Sequence, residues 1–153
     1  MTYASVHHPD GASRGMLALR AQARPVALAL LVVMTITLAA ALEGHPVLWP
    51  FVGAAAAAYT AAAAYGQHRL HATPAELVVA GPFVVVRSVW DAAGTDRERL
   101  EPVSSARLAR GELTVGLGDD VVTLRSDDWP DFDGVVSAVR GAVREAESLA
   151  RAA

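Results

Sequence analysis

PVALALLVVMTITLAAALEGHPVLWPFVGAAAAAYTAAAAYG, residues 25–66, has a single acidic residue, Glu43, and no arginine or lysine. Its first part, residues 25–42, is uncharged. As a helix rising about 1.5 Å per residue it reaches about 27 Å, close to the thickness of one hydrocarbon core. Pro25 suits a first helical turn, where its missing N–H is no loss. EGHP, residues 43–46, is a tight turn, and residues 47–66 form a second uncharged span. Two spans with so short a joint predict an antiparallel transmembrane hairpin over 25–66. A secretory signal peptide is the competing explanation of the first span. It fits less well, because apolar signal cores run about 7–15 residues and here a second span follows directly.

The flanks orient the hairpin. Arg14, Arg20 and Arg24 precede it and Arg69 follows it, while the turn carries no basic residue. The positive-inside rule places both termini in the cytoplasm of a bacterial inner membrane. Trp49, Phe51 and Tyr65 stand at the ends of the second span, where interfacial aromatic residues belong. The residues before the hairpin are expected to be a flexible lead, MTYASVHHPDGAS, followed by a short interfacial helix, RGMLALRAQAR.

GAAAAAYTAAAAYG, residues 53–66, is almost all methyl groups. Alanine adds little to insertion, whereas Leu, Ile, Phe or Val each contribute about −0.3 to −0.6 kcal/mol near the bilayer centre. The second span is therefore a weak inserter carried by the first. Small side chains allow close approach of helix backbones, the main source of packing energy within lipid. Gly53, Ala57, Ala61 and Ala64 lie along one face and are the expected packing surface for further helices, from a second copy or from another protein. The competing explanation is compositional drift: every basic residue is arginine, and lysine and asparagine are absent. Tyr59 and Thr35 fall at similar depth, and a hydrogen bond between them is one expectation. Threonines bonding their own helix are the other.

Beyond residue 71 the pattern shortens to strands. AELVVAG (75–81) and FVVVRSVW (83–90) are split by Gly81-Pro82; DAAGTDRER (91–99) is a polar loop; RLEPVSSARLA (99–109) is extended; GELTVGLG (111–118) and DVVTLRS (120–126) form a hairpin. From Asp131, the apolar residues Phe132, Val135, Val136, Val139, Val143, Ala146, Leu149 and Ala150 recur at helical spacing. Trp129 fixes the turn before this helix, with its indole packed on the domain or on a neighbour, and Asp131 or Asp133 caps the start. The fold class expected is a membrane α-hairpin plus a small α+β domain over residues 72–153.

A membrane hairpin, then about five strands, then a closing amphipathic helix resembles the small bacterial PH-like membrane proteins. RLHATPAELVVAG is similar to their exit from the membrane into a first strand, and GELTVGLGDDVVTLRSDDWPDFDGVVSAV to their last hairpin and helix. The resemblance implies an antiparallel PH-like sheet or partial barrel, and a protein-binding or scaffolding module. DAAGTDRERLEPVSS departs from the pattern with a proline and extra polar residues.

Composition narrows the chemistry. A net charge of −3 opposes general nucleic-acid binding. Without cysteine there is no disulfide, thiolate metal site or thiol nucleophile. SDDWPDFDG (126–134) is acidic, but it lacks the alternating oxygen ligands and distant Glu of a calcium loop and reads as a helix start. His68 and His71 are spaced for a shared helical face but have no nearby acid to complete a metal site. Glu43 and His45, in the turn, face the other side of the membrane, where a partner or headgroups lie. The serines sit in no nucleophile motif. Neither an enzyme nor a cofactor is implied. The function expected is a non-catalytic accessory, structural or assembly subunit of a larger membrane complex, with membrane-protein subunits and lipid as partners. A stand-alone membrane-anchored lipid- or peptide-binding module and a self-associating scaffold are the alternatives.

Overall fold

The computed structural model describes residues 1–94 and 100–152. The chain divides into two compact units, residues 12–72 and residues 1–11 with 73–153. Part of the polar loop expected at 91–99, residues 95–99, lies outside the described residues.

The first unit is helical. Helix α1, Arg14–Leu42, is continuous, with Ser13 capping its start through a 3.4 Å bond from the Met16 N–H. The short interfacial helix and the first span expected from the sequence are thus one element, and Pro25 lies inside it rather than at its start. Proline removes the amide that would bond the carbonyl four residues back, here Ala21. Helix α2 runs Leu48–Ala72, longer than the span expected. Among the described residues one helix, α1, is long and apolar enough to cross a membrane. Helix α2 falls short because alanine, tyrosine, tryptophan and Pro50 give it a lower mean hydropathy than leucine and valine would.

The second unit holds an antiparallel six-stranded sheet in sequence order: β1 (Thr2–Ala4), β2 (Pro74–Ala80), β3 (Phe83–Ser88), β4 (Glu101–Ala109), β5 (Glu112–Leu117) and β6 (Asp120–Arg125). Three two-residue turns link the hairpins. Gly81 and Gly118 hold positive φ at the first turn position, and Arg110-Gly111 holds it at both, the backbone twist that antiparallel hairpins need. The sheet is not closed, and β3 meets β4 through only Phe83↔Pro102 and Val84↔Glu101. Val89 and Trp90, expected to end a strand, and Asp91 and Ala92, expected to open the polar loop, instead form the short helix α3 (Val89–Ala92), whose start is capped by the Ser88 hydroxyl accepting the Asp91 N–H at 3.2 Å.

The strand β1 corrects the expectation of a flexible N-terminal lead. Thr2, Tyr3 and Ala4 pair with Val78, Leu77 and Glu76. Ser5, 5% exposed, donates its hydroxyl to the Pro74 carbonyl at 3.0 Å. The Val6 N–H reaches the Asp128 carbonyl at 2.9 Å, and the His7 ring meets the Asp128 carboxylate at 3.0 Å. The segment therefore bonds β2 on one side and the turn after β6 on the other.

Helix α4, Phe132–Ala152, covers one face of the sheet. Val135, Val136 and Val139 join Leu77, Val84, Val115, Leu113, Leu124 and Trp129 in one core. The apolar stripe expected from the sequence packs as far as Ala146; Leu149 is 56% exposed and Ala150 is also exposed.

Candidate packing surface of the helical hairpin

Within the helical unit, α2 packs on α1 through residues four apart. Ala62, Gly66 and Leu70 are buried, with Ala55 and Ala58 half-buried on the same side. Four-residue spacing of small side chains aligns them into a groove that a neighbouring backbone can enter. The closest approach is at Gly66. A Cβ there would lie 3.0 Å from Gln22 Cγ and 3.3 Å from the Ala21 carbonyl oxygen. Ala21 is the residue whose carbonyl lost its helical donor to Pro25, so the glycine backs onto a weakened stretch of the α1 ladder. Toward the turn the helices separate around an apolar cleft of about 260 Å³, lined by Val33, Ile36 and Thr37 from α1 and by Val47, Pro50 and Ala54 beside or within α2.

The residues singled out from the sequence lie elsewhere on α2. Gly53, Ala57, Ala61 and Ala64 are all exposed, and nothing lies within 4 Å of where a Cβ of Gly53 would be. They are not the surface used by α1. Around them Trp49 is 80% exposed and Tyr59 and Tyr65 are each 55% exposed, while Phe51 is half-buried. The expected Tyr59–Thr35 bond does not form among the described residues. Thr35 instead donates to the Leu31 carbonyl at 2.8 Å, as Thr37 does to Val33 and Thr60 to Ala56. A hydroxyl four residues from its own carbonyl needs no second helix in register, and that local option prevails.

Of the basic residues, Arg20 and Arg24 are exposed on the first turns of α1, Arg14 is half-buried at its start, and Arg69 is exposed near the end of α2. His68 and His71 are exposed on the last turns of α2, and no cluster of three potential metal ligands occurs among the described residues. His45 and Glu43 approach to 3.6 Å in the turn.

In the sheet unit, Trp129 is 2% exposed and packs into the domain's own core. Of the two candidate caps, Asp131 is the one used: its carboxylate accepts the Gly134 N–H at 3.1 Å and its carbonyl accepts the Val135 N–H. Asp133 is an exposed first-turn acid. Sequence inspection missed the Arg87–Glu76 pair, at 3.0 Å with side chains 20% and 16% exposed. Arg87 also reaches the carbonyls of Asp91 and Gly94, pinning α3 back on the sheet. The register of β2 with β3 brings Glu76 beside Arg87, which no pattern within FVVVRS indicates. Comparison with family models, with curated proteins and with solved structures gives no match.

Proposed function

We propose that this protein is a non-catalytic accessory, structural or assembly subunit of a larger bacterial membrane complex. Both helices cross the bilayer, and the alanine face of α2 packs against other subunits. The observation that carries this reading is that Gly53, Ala57, Ala61 and Ala64 remain exposed after α1 has packed on the opposite side. A helix surface of methyl groups gains little from lipid and more from a close-fitting helix.

Chain connectivity supports two crossings. β1 and β2 are neighbours in one sheet, and α1 and α2 lie between them in the chain. A chain that enters the bilayer at α1 must leave it again before β2, so the modest hydropathy of α2 is offset by the apolar bulk of α1. Arg14, Arg20, Arg24 and Arg69 then hold both termini on the cytoplasmic side. An open sheet covered by one helix is consistent with a PH-like module, which in this reading contacts the same assembly. Headgroup binding is disfavoured, because residues 1–11 and 73–153 carry fifteen acidic residues against nine arginines.

The natural chain has no cysteine, so single cysteines are clean probes. In native membranes, cysteine at 57 or 61 is expected to cross-link to another polypeptide. Cysteine at 31 or 32, on the exposed Leu/Val surface of α1, is expected to give no adduct. Equal adducts at all four positions, or none at any, reject docking through the alanine face. Cysteines at 10 and 127 should react with an impermeant reagent from the side opposite to cysteine at 45; labelling of all three from one side rejects the double crossing.

A further inference from the structure

We infer that the sheet unit binds an extended, acidic polypeptide segment, which adds as a strand to the open edge of β4 beside α4. This site stands whether or not the hairpin docks through its alanine face.

The main chain makes the first part of the argument. Ala109 and Glu112 flank a two-residue turn, so they exchange hydrogen bonds, and the exchange alternates back along the hairpin through Arg107↔Thr114. The N–H and C=O of Ala106 and Leu108 therefore point away from β5. On that side β3 stops pairing at Phe83↔Pro102, and among the described residues no strand replaces it. Ser105–Ala109 thus presents an open edge of about 17 Å at roughly 3.4 Å per residue, enough for a five-residue strand. Such a row of donors and acceptors is a template for strand addition.

The other two edges are poorer. β1 is three residues long, and β6 carries charged residues at both ends, Asp120 and Arg125. Next to β4 lies a groove of about 720 Å³. Leu108, 41% exposed, Val136 and Val143 form its apolar floor, suited to alternate side chains of an added strand. Arg140 and Arg144 stand one turn apart on its rim, and neither forms an ion pair among the described residues. Asp133 is the one acid on the rim. Two arginines against one carboxylate favour an occupant with acidic residues facing the arginines. The overall acidity of the unit makes this local basic rim selective for that stretch of groove.

The test uses the full chain in detergent micelles and three pools of dye-labelled nonapeptides, read by fluorescence anisotropy. One pool alternates apolar and hydroxyl residues with acidic ends, one has basic ends, and one is the acidic pool N-methylated at alternate amides. The acidic pool is expected to bind saturably, about tenfold tighter than the other two. Arg140→Glu with Arg144→Glu should reverse the preference between acidic and basic ends, and Leu108→Pro should weaken all binding, since proline is tolerated at an edge but donates nothing. If Leu108→Pro fails to fold, the N-methylated pool makes the same test on the natural chain. Absence of saturable binding by the acidic pool overturns the proposal, as does binding insensitive to both N-methylation and the arginine changes. Self-cross-linking of Ser105→Cys without peptide binding overturns it in favour of a second copy.

Discussion

The two units handle leucine and valine in opposite ways. In α1 none of the residues is buried, and Leu28, Leu31, Val32, Met34, Ile36 and Leu38 are each more than half exposed. In the sheet unit Leu77, Val84, Leu113, Val115 and Leu124 are fully buried. Burying an aliphatic side chain away from water is worth about 1.5–3 kcal/mol. The sheet unit gains this from its own fold, whereas the packing of α2 on α1 leaves those side chains of α1 uncovered. Of the three buried residues of α2, Ala62 and Gly66 contribute close approach rather than area, and Leu70 is the one large side chain. One unit thus buries its aliphatic side chains within its own fold, and the other leaves them exposed.

The comparison breaks or sharpens at particular residues. Leu113→Ala or Leu124→Ala should lower the stability of the sheet unit by about 2–5 kcal/mol, seen as an earlier urea midpoint in amide exchange of β5. Leu31→Ala and Ile36→Ala should leave that midpoint in place; an equal loss would mean that the two units share one core. Gly66→Leu should force α1 and α2 apart at a cost of about 1–3 kcal/mol, measured as faster amide exchange along α2 in micelles. Protection unchanged by this substitution would show that the hairpin does not depend on its close contact. Glu76→Ala should cost about 1–2 kcal/mol in thermal unfolding of the sheet unit. That is less than a fully buried pair, because Arg87 is partly hydrated and keeps its bonds to two carbonyls. Asp131→Ala should cost about 1 kcal/mol by removing the cap of α4, and Asp133→Ala much less. Equal effects at 131 and 133 would contradict the cap geometry.

Much of the fold is legible where the signal is local. The β5–β6 hairpin follows from alternation on either side of Gly118-Asp119, and α4 follows from the spacing of Val135, Val136, Val139 and Val143. The site residues divide differently. Asp131 was readable as a cap because its partner, Gly134, is three residues away. Gly66 was not readable as the contact point of the hairpin, because its neighbours Ala21 and Gln22 are more than forty residues earlier. Gly53, Ala57, Ala61 and Ala64 share a face as helical geometry requires, but which face meets α1 depends on the rotation of α2, and nearly identical methyl surfaces do not specify it.

Sequence alone determined that this chain holds two long uncharged helical spans, a run of short strands and a closing amphipathic helix, since each rests on periodicity or length within one segment. Only the tertiary structure decided that TYA is a strand, that β4 pairs with β3 through two residue pairs and then leaves it, and that Gly66 backs onto Ala21. A three-residue strand such as TYA carries almost no periodicity. Its hydrogen bonds go to residues about seventy positions later, and no local pattern encodes a partner at that distance.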